Sequence, residues 1–264
     1  MRRLVSNGQL MSGVVKKTDN IVMQKLQKGT KKEKCYIIGN GHSISVDEKN
    51  RVIKHDPLMH VFETDISKEH SVYAFFFTFE CAGLEKSSIE IAEFVNELID
   101  TYDEIIFVGH SKCGVCLTNA SCYCRKTVTL VTISTPYYGT VVTDKEWAEM
   151  LLKKRVFIKI YNMIFSDHKV DRDIAPDSDF LLNMNQPVCN RHINIISYFR
   201  SIRDCRNLID LALFATDKIM HLRGDGVVPL TSQYPSSNTQ EIYVFCSHAS
   251  SLKEALKILE SKSI

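Results

Sequence analysis

The sequence predicts an α/β protein in which helices flank a mostly parallel central sheet. Three observations carry this. Short apolar runs alternate with helix-length segments along the 264 residues, which is the rhythm of strands joined by crossover helices. Several of the runs are unbroken Val, Ile and Phe, as in strands covered on both faces. Two of the intervening segments carry an apolar stripe at helical spacing. The composition agrees: 44% hydrophobic and 24% charged residues, with 11 Gly and 6 Pro, exclude the disordered, collagen-like and repeat classes.

Residues 1–33 read as a basic N-terminal arm, and 34–264 as one domain. Up to Lys34 the chain carries nine basic side chains, Arg2, Arg3, Lys16, Lys17, Lys25, Lys28, Lys31, Lys32 and Lys34, against Asp19 and Glu33, a local charge of +7. The remainder, 24 basic against 29 acidic, is −5, so the total of +2 conceals an uneven split. The near-neutral total argues against a nucleic-acid partner. The arm is either a solvated extension or a peripheral contact for anionic membrane.

Strands are predicted at 35–38, 72–77, 104–108, 127–133, 193–198 and 241–245. The helix 88–102 places Ile89, Ile91, Ala92, Val95, Leu98 and Ile99 near helical spacing. A second helix begins around Lys112, and 250–260 aligns Leu252, Ala255, Leu256 and Leu259. The helix 146–165 differs, because Trp147, Leu151, Phe157, Tyr161 and their neighbours make it apolar on more than one face. It is either buried between body and loops, or it caps a cleft and offers one face to an apolar ligand.

The nine Cys lack the spacing of a disulfide framework, which points to a reducing compartment and a cytoplasmic location. No apolar run approaches the roughly 18 residues of a membrane span. Ser6, Asn7, Gln9 and Ser12 break up what would be the apolar part of a signal peptide. Cys113 and Cys116, with Cys122 and Cys124, have a spacing that can hold zinc, but the first two fall in the helix after Ser111, where small apolar residues pack on a sheet. No metal or cofactor is expected.

The most informative stretch is Ile105-Ile106-Phe107-Val108-Gly109-His110-Ser111-Lys112-Cys113-Gly114, a strand running into a small-residue turn and then a helix. A serine at such a corner is projected outward, with the helix N-terminus beneath it to favour developing negative charge. An ordinary turn or helix-cap serine would fit Ser111 taken alone. A serine nucleophile also needs a His base and an acid to orient it, and both follow in the order acid, then His. Asp225 lies in the Gly224-Asp225-Gly226 loop after a helical segment, and His248 lies between the last strand and the last helix. Each has its own bland reading, an Asp-Gly turn and a helix N-terminal residue; the joint order at strand ends favours a triad.

The sequence resembles the α/β-hydrolase superfamily, and within it the lipase-like serine esterases, over roughly residues 34–262. The resemblance rests on Gly109-His110-Ser111, on Ser134-Thr135-Pro136-Tyr137-Tyr138-Gly139-Thr140, on 173–181 with Asn183 and Asn185, on Gly224-Asp225-Gly226-Val227-Val228-Pro229, and on His248. It implies Ser111 as nucleophile, Asp225 as acid, His248 as base, and a lid or cap over an acyl pocket in a helical insertion at about 141–190. Trp147, Leu151, Phe157 and Tyr161 would line that pocket. It also implies an oxyanion hole made by the N–H of Lys112 and by the loop after the first strand, where Asn40-Gly41 stands in place of the family's His-Gly. That alignment points to His42, with Gly41 as the other choice, while a plain turn at Gly39–Gly41 is the alternative.

The expected function is hydrolysis of a small-molecule carboxylic ester, with a lipid-like or medium-chain acyl group, through an acyl-enzyme. A thioesterase or acyltransferase using the same triad is an alternative. So is a non-catalytic protein of this fold that binds a hydrophobic ligand or partner.

Overall fold

The unbroken apolar runs need cover on both sides, and one sheet between helix layers supplies it. The computed structural model describes residues 14–27, 33–46, 52–55, 70–78, 80–140, 172–236 and 238–261. Its strands are β1 (Val14–Lys17), β2 (Ile21–Gln27), β3 (Lys34–Val46), β4 (Val52–His55), β5 (Ser71–Thr78), β6 (Glu104–His110), β7 (Val128–Ile133), β8 (Cys189–Ser197) and β9 (Gln240–Val244). They lie in the order β1-β2-β5-β3-β6-β7-β8-β9, with β4 paired to β3. From β5 through β3 to β9 every neighbour is parallel; β1, β2 and β4 pair antiparallel. The helices are α1 (Leu84–Leu98), α2 (Lys112–Ser121), α3 (Asp179–Asn183), α4 (Leu208–Met220) and α5 (His248–Ser261).

Successive strand residues point to opposite faces, and the core divides accordingly. Cys35, Ile37, Ile105, Phe107 and Leu130 pack with Ile91, Val95, Val115 and Leu117 of α1 and α2. Tyr36, Ile38, Ile106, Val108, Val131 and Ile133 pack with Leu252, Ala255, Leu256 and Leu259 of α5, the predicted stripe. Each fully buried Leu, Ile or Phe among them stabilises by roughly 1.5–3 kcal/mol. Among the described residues no helix is long and apolar enough to cross a membrane.

Three expectations change. Residues 14–27, read by charge as part of the basic N-terminal arm, form β1 and β2 at the sheet edge, where Ile21, Val22 and Met23 are fully buried. Their short apolar runs decide this, and the charges find partners at the rim: Lys16 Nζ sits 2.9 Å from Glu97, and Lys25 Nζ lies 5.0 Å from the Tyr73 ring centre. The first predicted strand does not stop at 38, because Ser43 and Ile44 resume pairing with β5 beyond a register shift. And α1 starts at Leu84 instead of 88, because the Asp173 carboxylate accepts the Leu84 N–H at 2.6 Å and caps the helix from 89 residues away.

Of the predicted insertion 141–190, residues 172–190 are described, and they join the body. Ile174 is in the core beside α1 and α2, and its carbonyl accepts the Thr140 N–H at 2.9 Å. Trp147, Leu151, Phe157 and Tyr161 lie outside the described residues.

Candidate active site

β6 ends one residue before Ser111 and α2 begins one residue after it, so the chain must reverse on that single position. Ser111 does so with φ 57° and ψ −132°. A residue with a side chain is disfavoured there by roughly 1–3 kcal/mol. The surroundings hold it: the Ser111 N–H donates to the Ile133 carbonyl at 2.9 Å, and the Ser111 carbonyl accepts the Gly114 N–H at 2.9 Å. The close approach that this turn requires is made by Gly109 and Gly114. A Cβ on Gly109 would lie 2.6 Å from Gly114 Cα, and one on Gly114 would lie 1.9 Å from Thr135 Oγ1. Position 113 is therefore free to carry a side chain, which points toward β3.

Asp225 sits past α4 in a loop that folds around its carboxylate. Asp225 is fully buried. Its Oδ1 accepts the N–H groups of Val227 at 3.1 Å and Val228 at 2.8 Å, and its Oδ2 accepts the Ser197 hydroxyl at 2.7 Å. The remaining partner of Oδ2 is His248 Nδ1 at 2.9 Å. A carboxylate only accepts, so Nδ1 carries a proton, and in the neutral ring Nε2 then keeps a lone pair, as a general base requires.

His248 opens α5, and its backbone is held as firmly as its ring. Its N–H donates to the Asp225 carbonyl at 3.0 Å, and its carbonyl lies 3.1 Å from His110 Nε2 and accepts the Ser251 hydroxyl at 2.9 Å. The His110 ring, next to Ser111 in the chain, lies on the His248 ring with centres 4.6 Å apart. Ser247, just before His248, donates its hydroxyl to the buried Asp210 carboxylate, which also accepts from Ser250 at 3.0 Å. The structure thus joins Asp225 directly to His248 and brings the elbow against that pair through His110. Among the described residues no hydrogen bond joins Ser111 Oγ to the His248 ring, whose hydrogen bond is the one to Asp225.

The predicted oxyanion loop is a bulge inside β3. Pairing with β6 ends at Gly39 opposite Gly109, and pairing with β5 passes from Gly39–Phe75 to Ser43–Phe77, so two extra residues are accommodated between. Gly41 turns there with φ 77°, and its N–H donates to Cys113 Sγ at 2.9 Å. Lys112 is buried and opens α2, at a position whose N–H has no acceptor within the helix. The Cys113 thiol is fully buried, and burial pushes its pKa up to about 12, so it stays protonated near neutral pH. Among the described residues no group of three His, Cys, Asp or Glu side chains converges as a metal site.

Ser197, His110 and Asp210 escaped the sequence reading. A serine after the apolar run of β8 and a buried histidine between Gly109 and Ser111 were the available signals, since a polar side chain in a buried strand needs a partner. Among the described residues, cavities of about 400 and 470 Å³ lie elsewhere. The first is walled by Tyr137, Leu181 and Pro187, the second by Glu85, Asp173 and Phe180, and neither touches Ser111, Asp225 or His248.

No protein-family model matches the chain, and no curated protein does. Its structure is similar to several solved ones. A lipase from Bacillus licheniformis, in its mature form, matches with a TM-score of 0.58 at 13% identity, over 92% of this chain and 96% of that one. A Staphylococcus hyicus lipase matches at 0.50 and 12%, over 91% and 96%. A type II thioesterase of yersiniabactin biosynthesis matches at 0.50 and 7%, over 91% and 96%. These neighbours share the α/β-hydrolase fold, and at this identity the likeness shows the fold of this chain.

Proposed function

We propose that this chain, an α/β-hydrolase fold with a serine elbow beside a hydrogen-bonded Asp–His pair, is a serine hydrolase that cleaves carboxylic esters. The observation that carries the reading is the buried 2.9 Å bond from Asp225 to His248 Nδ1, packed through His110 against the φ 57° elbow at Ser111. Strain at Ser111 and a base held in the Nε2-acceptor tautomer are features that a turn serine or a pure binding protein does not need.

Each residue then has one task. Ser111 Oγ attacks the ester carbonyl while His248 Nε2 takes its proton. The Asp225 carboxylate keeps the proton on Nδ1 and stabilises the imidazolium that forms. The N–H groups of Lys112 and His42 receive the oxyanion, one such donor being worth about 10²–10³ in rate. His248 returns its proton to the leaving alcohol, the alcohol departs, and water attacks the acyl-enzyme by the same route in reverse.

The acyl group is lipid-like or of medium length, a preference supported by the apolar residues Trp147, Leu151, Phe157 and Tyr161 after Thr140. Thioesters are the second substrate class, because a thioesterase is among the structural neighbours and the same triad cleaves them. Ser111→Ala is expected to abolish both turnover of p-nitrophenyl acyl esters and labelling by a fluorophosphonate, with an unchanged melting curve. Undiminished labelling of that variant would remove Ser111 from the mechanism. Rates falling steadily from acetyl to octanoyl esters would remove the acyl preference.

A further inference from the structure

Cys113 stands two residues after the nucleophile, and its thiol makes a contact that space-filling does not require. Sγ lies between α2 and the β3 bulge and accepts the Gly41 N–H at 2.9 Å. It has room because position 39 is glycine: a Cβ there would lie 2.8 Å from Sγ and 2.2 Å from the Phe75 ring. The ladder to β6 has ended at Gly39 and the ladder to β5 is interrupted until Ser43, so sheet pairing does not hold the Gly41 peptide. The thiol holds it instead. With its N–H committed to Sγ, Gly41 has no donor left for a ligand, and the next N–H in the loop is that of His42. Because the thiol is buried and protonated, it is a neutral acceptor over the pH range of an assay and does not compete with Ser111 as a nucleophile.

We propose that Cys113 is a positioning residue for the oxyanion hole: its thiol clamps the Gly41 peptide and so presents the His42 N–H, and not that of Gly41, to the tetrahedral intermediate. The proposal rests on Ser111 being the nucleophile. A misplacement of about 1 Å near the reacting atoms can lower the rate about 10²-fold, so releasing the clamp acts on the transition state more than on substrate binding.

The test compares the full chain with Cys113→Ala, which removes the acceptor, and Cys113→Ser, which keeps one on a shorter bond. The kcat is taken per active site titrated with fluorophosphonate, so partial unfolding of a variant does not enter. Cys113→Ala is expected to lower kcat about 10-fold to 100-fold with KM nearly unchanged, and to weaken inhibition by a trifluoromethyl ketone, which forms an oxyanion on Ser111, by the same factor. Cys113→Ser is expected to recover part of both losses. A thiol that only fills space predicts the opposite order, with the buried hydroxyl no better than Ala. That order, or a Cys113→Ala kcat within twofold of the parent, overturns the clamp. Ser111→Ala, run alongside, separates the two readings, since its continued turnover would overturn the nucleophile assignment and not merely the clamp.

Discussion

Replacing Asp225 by Asn probes the site in a way whose outcome can be worked from the hydrogen bonds around the carboxylate. Oδ1 accepts the N–H groups of Val227 and Val228, which can only donate. The amide oxygen must therefore take the place of Oδ1, and the NH2 that of Oδ2. At that second position Ser197 can turn its hydroxyl proton toward Ser134 Oγ, 2.5 Å away, and accept instead. His248 Nδ1 meets the new donor only by losing its own proton, which moves to Nε2. An imidazole with Nε2–H has no lone pair for the Ser111 proton. The same exchange in a serine-protease triad lowers kcat about 10⁴-fold. At about 1.36 kcal/mol per tenfold, that is about 5 kcal/mol of transition-state stabilisation. All four partners of the side chain keep a bond, so the melting temperature should move by only a few degrees. The assay is p-nitrophenyl butyrate hydrolysis per titrated site, with a circular-dichroism melt on the same sample. An Asp225→Asn variant working within tenfold of the parent would refute the tautomer argument, and with it the role of the acid.

Two further predictions concern the frame around the site. Asp173→Ala removes the distant cap of α1 and leaves the Leu84 N–H without its acceptor, which should destabilise by about 1 kcal/mol and lower the melting temperature by about 2–4 °C, with kcat unchanged; an unchanged melt would show that the cap is not needed. His192 is buried on β8, bonded to Thr132 at 3.0 Å and Tyr137 at 3.2 Å, and burial lowers its pKa from 6.5 to about 4. Between those two values the unfolded chain binds a proton that the folded chain does not, so this group removes stability as pH falls from about 6.5 to about 4, up to about 3 kcal/mol. Urea unfolding across that window should therefore show a shallower pH slope for His192→Gln than for the parent. Equal slopes would show that His192 does not carry this dependence.

Much of the architecture is legible because it is written in local pattern. The continuous runs at 72–77, 104–108 and 127–133 became β5, β6 and β7, and the stripe Leu252, Ala255, Leu256 and Leu259 became the buried face of α5. The corner at Ser111 and the pairing of Asp225 with His248 lie past the helix and strand ends that the pattern marks. Counting charge hid Ile21, Val22 and Met23, which β5 buries. The spacing of 88–102 showed a helix without showing its first turn, because the cap is a carboxylate 89 positions away. Ser197 and Asp210 look like ordinary polar residues until the acid loop and α5 close over them.

Cys113 shows the division most clearly. In the sequence it reads as a small apolar residue of the helix after Ser111 that packs on the sheet. In the folded chain Gly114 makes the close approach, Gly39 leaves the space, and Gly41 supplies the N–H that the thiol accepts. Periodicity and turn chemistry act between residues a few positions apart, so strands, helices and turns can be read along the chain. Caps, clamps and buried hydrogen bonds join residues some twenty to ninety positions apart, and which of them meet is settled only when the sheet brings them within three ångströms.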